Sequence, residues 1–297
     1  MRRYSGEALC EKHFSLSIEE RVIKFLRRSV KGEERYGLAV SGGRDSMCLF
    51  WISVKGAKRV PSAPVPIFID EGIKGYSEVS SSLASEMAEK NGRKLKRFSF
   101  EEEWDLSIDE IAKDPSRRRE ICYYCEILKR RALESLSRDL GIKILALGST
   151  ANDVAGSILM SVIRGELKER AMKECLPRIV KMVRPLSRIP DGEMELYARI
   201  NGVEHSKAIC PYFKESLKGT ISSFLSSIEN KDPGKIFSLE SFWKRVKWLL
   251  RGEFEVKRCE ICGFPALGRL CDFCELVVDL KGERKASMIA GRWKFES

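Results

Sequence analysis

The feature that most narrows what this chain can fold into is the run YGLAVSGGRDSMCLFWI, Tyr36 to Ile52. The first five residues are apolar and end on a β-branched valine, which reads as a buried strand. SMCLFWI carries apolar positions with no turn residue and reads as a helix. Between them stands a Ser-Gly-Gly turn. A helix start leaves backbone N–H groups unpaired and places the positive end of the helix dipole at the turn, so anions bind there. Gly42 and Gly43 let the backbone approach a phosphate and are expected to take positive φ, while the hydroxyls of Ser41 and Ser46 add donors. The Gly-x-x-x-x-Gly-Lys-Ser/Thr pattern of ordinary P-loops is absent, which leaves a pyrophosphate cradle.

The same alternation continues along the chain. VPIFID, KLKRFSF and IKILALG read as further strands. EVSSSLASEMAEKNG, CEILKRRALESLSRDLG and NDVAGSILMSVIRG read as helices, and SLSIEERVIKFLRRSV reads as a helix opened by a Ser17–Glu20 capping box. Strands alternating with helices imply an α/β fold, a parallel sheet with helices on both faces, whose site lies at the carboxyl ends of the strands. Gly42, Asp70 and Gly148 all fall at such ends. From about Pro211 to Arg251 the pattern is helical only, and from Val256 the chain changes character. Three parts are expected: an N-terminal helical segment over 1–30, a catalytic domain over 31–255, and a C-terminal ribbon and tail over 256–297.

At 297 residues and 43% hydrophobic composition the chain can bury a large core. It contains no apolar run long enough to span a membrane and no signal-peptide h-region, so a cytoplasmic protein without membrane attachment is expected. A formal charge of +11 favours a polyanionic partner, nucleic acid above all. Ten cysteines in a chain without a signal peptide point to metal ligands or catalytic thiols in preference to disulfides.

Spacing sorts those cysteines. CEICGFPALGRLCDFC holds Cys259, Cys262, Cys271 and Cys274, two Cys-x-x-Cys knuckles separated by eight residues, the pattern of a structural zinc site. Gly263 and Gly268 suit the turns of such knuckles. ICYYC gives another pair, Cys122 and Cys125, placed ahead of a helix, and ICPYF supplies Cys210. Three thiolates without a fourth ligand fit a 4Fe-4S cluster with one open iron better than closed zinc. A redox pair in which Cys122 or Cys125 attacks or carries sulfur is the alternative, and a fortuitous pair beside a buried Cys210 is the plain one. Cys48 sits in an apolar helix and reads as core, Cys175 stands alone, and Cys10 with His13 has the spacing of half a zinc site.

Taken together, the Ser-Gly-Gly-x-Asp-Ser turn, the Cys-x-x-Cys pair, RPLSRIPDGEMELYARINGV, CPYF, DPGKIFSLESF and the cysteine ribbon resemble the tRNA 2-thiouridine synthetase family (TtuA-like) of the PP-loop ATPase superfamily, over nearly the whole chain. The resemblance implies an adenine nucleotide alpha hydrolase-like fold with a C-terminal zinc ribbon. It implies that Ala39, Ser41, Gly42, Gly43, Arg44, Asp45 and Ser46 hold ATP with Mg²⁺, that Asp70 and Gly148 lie near the nucleotide, and that Asp153 serves the chemistry. Cys122, Cys125 and Cys210 would ligate a 4Fe-4S cluster, with Zn²⁺ in the ribbon. The activity implied is ATP-dependent tRNA thiolation, by adenylation of a base carbonyl followed by sulfur transfer. Implied partners are tRNA and a ubiquitin-like sulfur carrier, with a homodimer as the allowed assembly.

The chain departs from the family at three places: Arg44 stands where lysine is usual, GSTANDVA keeps only Gly148 and Asp153 of the second loop, and the N-terminal finger lacks its leading cysteine pair. Another PP-loop tRNA modifier, such as a cytidine thiolase, and a catalytically weakened RNA-binding paralogue are the rival readings.

Overall fold

The computed structural model describes residues 4–291. Residues 1–3 and 292–297, the extremes of the first and last expected parts, lie outside the described residues. The chain runs through α1 (Glu11–Ser29), β1 (Arg35–Ala39), α2 (Arg44–Lys55), β2 (Ala63–Asp70), α3 (Ser77–Lys90), β3 (Lys96–Ser99), α4 (Phe100–Trp104), α5 (Ile108–Lys113) and α6 (Ile121–Asp139). There follow β4 (Ile144–Ala146), α7 (Ala151–Ile163), α8 (Leu167–Lys173), β5 (Lys181–Val183), α9 (Asp191–Ile200), α10 (Leu217–Lys231) and α11 (Ile236–Arg251). The ribbon then supplies β6 (Lys257–Arg258), β7 (Pro265–Ala266) and α12 (Asp272–Gly291), which is broken by a kink at Gly282, φ 80° and ψ 165°.

The five-stranded sheet is parallel throughout, in the order β3-β2-β1-β4-β5. From β1 the chain builds outward on one side, then crosses back to place β4 on the other side of β1. Strand order therefore reverses between β1 and β4, and a crevice opens there at the carboxyl ends, where open α/β sheets bind ligands. Alternate strand residues face opposite layers. Tyr36, Leu38, Phe68 and Ile144 pack with α1, α2 and α9 through Ile18, Val22, Leu49, Phe50 and Tyr197. Ile67, Ile69 and Leu145 pack on the other face with Trp104, Leu128 and the ribbon's Phe273. The expected two-faced α/β fold is thus present.

Pro64 and Pro66 sit within β2, an inner strand, because pairing is staggered. Ala63 N–H donates to Glu34, so the even-numbered residues turn their missing donors away from β1, and β3 pairs only from Ile67 onward.

Several boundaries differ from the sequence reading. α1 begins at Glu11, so Ser17 and Glu20 lie inside it and form no N-terminal capping box. The buried row of Ile18, Val22 and Leu26 already starts at Phe14, and the helix extends to present it. β3 stops at Ser99, whose hydroxyl accepts the Glu102 N–H, and Phe100 opens a helix instead of ending a strand. α6 begins at Ile121, so Cys122 and Cys125 are in the helix and not ahead of it. β5, three residues long, was not anticipated, being too short to show a period.

Candidate nucleotide and cysteine site

The glycine turn lies where β1 ends and α2 begins. Gly43 is the N-cap, with φ −75° and ψ 157°, and α2 starts at Arg44. Only Gly42 takes positive φ, at 74°, which corrects the expectation for Gly43. A Cβ on Gly42 would come within 2.6 Å of the Ser80 carbonyl oxygen, whereas one on Gly43 would meet nothing closer than Ser41 Oγ at 3.5 Å. The first glycine is thus required by backbone conformation and packing, and the second leaves the loop open. Ser46 Oγ accepts the Ser41 N–H at 3.0 Å, donates to Gly43 O at 2.9 Å and lies 3.1 Å from Ser41 Oγ, which holds the turn in shape. Gly148, after β4, packs directly on this turn: its Cβ would lie 2.8 Å from Ser46 Cα.

Charged residues surround the helix start. Arg44 folds back onto Asp45, with Nε to Oδ1 at 2.8 Å and Nη2 to Oδ2 at 3.1 Å, and stands 3.9 Å from Asp191. Asp153 is the third residue of α7 and forms a capping box with Thr150, accepting its N–H at 3.0 Å. The Thr150 hydroxyl also donates to Asp191 at 2.5 Å. Burial pushes the Asp191 carboxyl up to about 6, against the Thr150 hydrogen bond, with Asp153 and Asp45 reinforcing the rise. A partly exposed group of carboxylates, Asp45, Asp153 and Asp191, beside a helix N-terminus is chemistry suited to a divalent cation accompanying phosphates. Asp70 ends β2 as expected, where it accepts the Gly72 N–H at 2.9 Å and pairs with Arg97 at 2.8 Å. Asp191 and Thr150 were not singled out in the sequence; the loop acid at Asp153 was their nearest signal.

The second group is sulfur. Cys122 and Cys125 sit one turn apart at the start of α6, so they share a face. Cys210 arrives from the segment after α9. That segment is tied to the glycine turn by the Ser206 N–H, which donates to Gly42 O at 2.8 Å, so three residues stand between this anchor and the third cysteine. Cys122 Sγ faces Tyr212 O at 3.7 Å, and the Tyr212 hydroxyl donates to Asp109 at 2.7 Å. Burial pushes the Cys125 thiol up to about 12, opposed by Lys129, while Glu71 and the thiols of Cys122 and Cys210 add to the rise. The Cys210 thiol is raised as well, first by burial. A free thiol so raised is a poor nucleophile at neutral pH.

Lys129, one turn beyond Cys125, forms an ion pair with the buried carboxylate of Glu71. Neither was found from sequence, because only the tertiary fold brings the loop after β2 against α6.

Among the described residues, the ribbon cysteines alone gather three or more ligand atoms of a possible metal site within 4.8 Å of one another. Cys122, Cys125 and Cys210 do not meet that distance. In the ribbon, Cys262 and Cys271 sulfurs are 3.6 Å apart, close to the roughly 3.8 Å set by four zinc–sulfur bonds of about 2.3 Å. Gly263 takes positive φ in the first knuckle, but Gly268 does not; the second knuckle is instead the start of α12. Cys48 is core, as expected, and Cys175 is exposed. Cys10 Sγ and His13 Nδ1 touch at 3.1 Å, both exposed.

The comparisons with known proteins agree with this geometry. The PP-loop domain family matches residues 14–208. A "Probable sulfurtransferase" of Methanocaldococcus jannaschii is 31% identical, over 94% of this chain and 85% of the relative. The tRNA 2-thiolation protein NcsA of Haloferax volcanii is 27% identical over 94% and 95%. Among solved structures, the U34-tRNA thiolase NcsA from Methanococcus maripaludis, described with its 4Fe-4S cluster, superposes with a TM-score of 0.81 at 27% identity, covering 94% of this chain and 92% of that one. No helix among the described residues is long and apolar enough to cross a membrane. With its glycine turn at the strand-order reversal and a match across most of its length, the chain belongs to the PP-loop family.

Proposed function

We propose that this protein is an ATP-dependent tRNA thiolase. The observation that carries the reading is that the segment bearing Cys210 and Tyr212 meets Cys122 and Cys125 of α6 and is also tied to the glycine turn by the Ser206–Gly42 hydrogen bond. Relatives named for tRNA thiolation support it.

The turn from Ser41 to Ser46 would hold the ATP phosphates by backbone N–H groups at the start of α2, with Arg44 contributing a planar guanidinium where a lysine is usual. Asp45, Asp153 and Asp191 would hold Mg²⁺ with the phosphates. The base carbonyl oxygen attacks the α-phosphorus, pyrophosphate leaves, and the oxygen becomes part of an AMP leaving group. Sulfide then displaces AMP, so the carbonyl oxygen departs with AMP and a carbon–sulfur bond replaces it. A 4Fe-4S cluster on Cys122, Cys125 and Cys210 would supply an iron with an open position for that sulfur. The sulfur would come from a ubiquitin-like carrier, zinc would occupy the ribbon from residue 256 onward, and a homodimer would be the working assembly.

The test is anaerobic reconstitution followed by single turnover with tRNA, ATP and sulfide. About four irons per chain are expected. Cys210→Ala is expected to lose iron and thiolation yet retain ATP binding; thiolation by the Cys210→Ala protein would overturn the reading.

A further inference from the structure

One buried guanidinium reaches from the rest of the chain into the ribbon's sulfur set. Arg131 lies on α6, the helix whose first turns carry Cys122 and Cys125, and it is 4% exposed. Its Nη2 is 2.8 Å from Cys262 Sγ and 4.0 Å from Cys271 Sγ. The guanidinium carbon stands 4.4 Å from the centre of the Phe264 ring and 5.1 Å from that of Phe273. Both rings belong to the ribbon, so the charge is clasped by ribbon groups although its backbone belongs to the catalytic domain. Trp104 of α4 extends the contact, 4.9 Å from the Phe273 ring.

An arginine removed from water needs an anion nearby, or its burial is costly. Glu134, the acid nearest along α6, is itself buried and lies 3.6 Å from Arg178. The sulfur set is the other anion within reach. Four thiolates around one divalent ion carry a net charge of minus two, and N–H donors to thiolate sulfur disperse that charge. Two aromatic faces add a cation–π contribution in a dry setting.

We propose that Arg131 is the outer counter-charge of the ribbon's metal site, and that through it metal loading fastens the ribbon onto α6. The inference rests on reading the ribbon as a zinc site and goes beyond it, because it ties the occupancy of that site to the helix holding the Cys122–Cys125 pair.

Zinc itself is the probe. Wild-type protein, Arg131→Leu and Arg131→Lys are purified as full chains, zinc is quantified, and its release to excess chromogenic chelator is timed. Arg131→Leu is expected to release zinc about 10- to 100-fold faster than wild type. Arg131→Lys should fall between, since it keeps the charge but loses the planar fork and the ring stacking. In parallel, stripping zinc from wild type should raise amide hydrogen exchange along α6, measured by mass spectrometry. Unchanged release in a zinc-loaded Arg131→Leu protein, or unchanged α6 exchange on stripping, overturns the inference and leaves the zinc reading standing. A wild-type ribbon that takes up no zinc overturns both. Should Arg131→Leu fail to fold, the Arg131→Lys protein loaded with cobalt decides: its sulfur-to-cobalt charge-transfer band should shift from that of wild type, and an unshifted band overturns the inference.

Discussion

Gly42 and Gly43 are adjacent and identical in sequence, yet the structure assigns them opposite sensitivities. Gly42 has φ +74°, and an added Cβ would meet Ser80 O at 2.6 Å and Ser80 Cα at 2.8 Å. In Gly42→Ala, left-handed backbone strain costs about 1–2 kcal/mol. Displacing the α3 backbone at Ser80, which cannot rotate away as a side chain could, adds about 1–3 kcal/mol by analogy with overpacked cores. The expected loss is therefore about 2–5 kcal/mol. Gly43 has ordinary φ, and its Cβ would sit 3.5 Å from Ser41 Oγ. Replacing glycine by alanine at an N-cap costs below about 1 kcal/mol, but the new methyl stands inside the loop proposed to receive phosphate. Gly43→Ala should thus keep its stability and lose ATP affinity. Urea denaturation followed by circular dichroism measures the first quantity and titration calorimetry the second. Equal destabilisation by the two alanines, or a Gly42→Ala loss within about 0.5 kcal/mol, would refute the steric argument.

Asp191 predicts a pH effect. Burial raises its carboxyl from 3.8 to about 6, so the fold binds this proton more tightly than the unfolded chain does, and stability from this group declines as pH rises across that interval. Asp191→Asn should remove the decline, giving a stability advantage over wild type that is larger at about pH 8 than at about pH 5; parallel profiles would count against it. Glu71→Ala leaves Lys129 without its carboxylate. Because the Glu71 side chain is 6% exposed and that of Lys129 37%, the expected destabilisation is about 1–3 kcal/mol, between a surface and a buried pair, and a melt unchanged from wild type would reject it. Cys271→Ser should lose ribbon zinc and lower thermal stability, as judged by metal analysis and calorimetry; full zinc content in the variant would contradict the four-sulfur site.

Local sequence determined much of this protein. A short β-branched run, a glycine turn and an apolar helix require only near neighbours, which is why β1, the turn and α2 were legible with the phosphate cradle they imply. The ribbon was legible for the same reason: its four cysteines fall within sixteen residues, and a metal-capable cluster depends on spacing more than on the surrounding fold. Helix starts were less secure. The Ser17–Glu20 pattern was a sound local signal overridden by Phe14, whose burial is decided by packing against the sheet.

Long-range contact decided the rest. That strand order reverses between β1 and β4, that Asp191 reaches Thr150 across 41 residues, and that Ser206 anchors the segment bearing Cys210 to Gly42 are facts about distant segments meeting. Lys129 with Glu71, and Arg131 with the ribbon sulfurs, look in sequence like charges on a solvated helix face. Periodicity reports which face of a helix is apolar, whereas the partner that neutralises a buried charge is chosen by tertiary structure, because charge pairing acts across space regardless of separation along the chain.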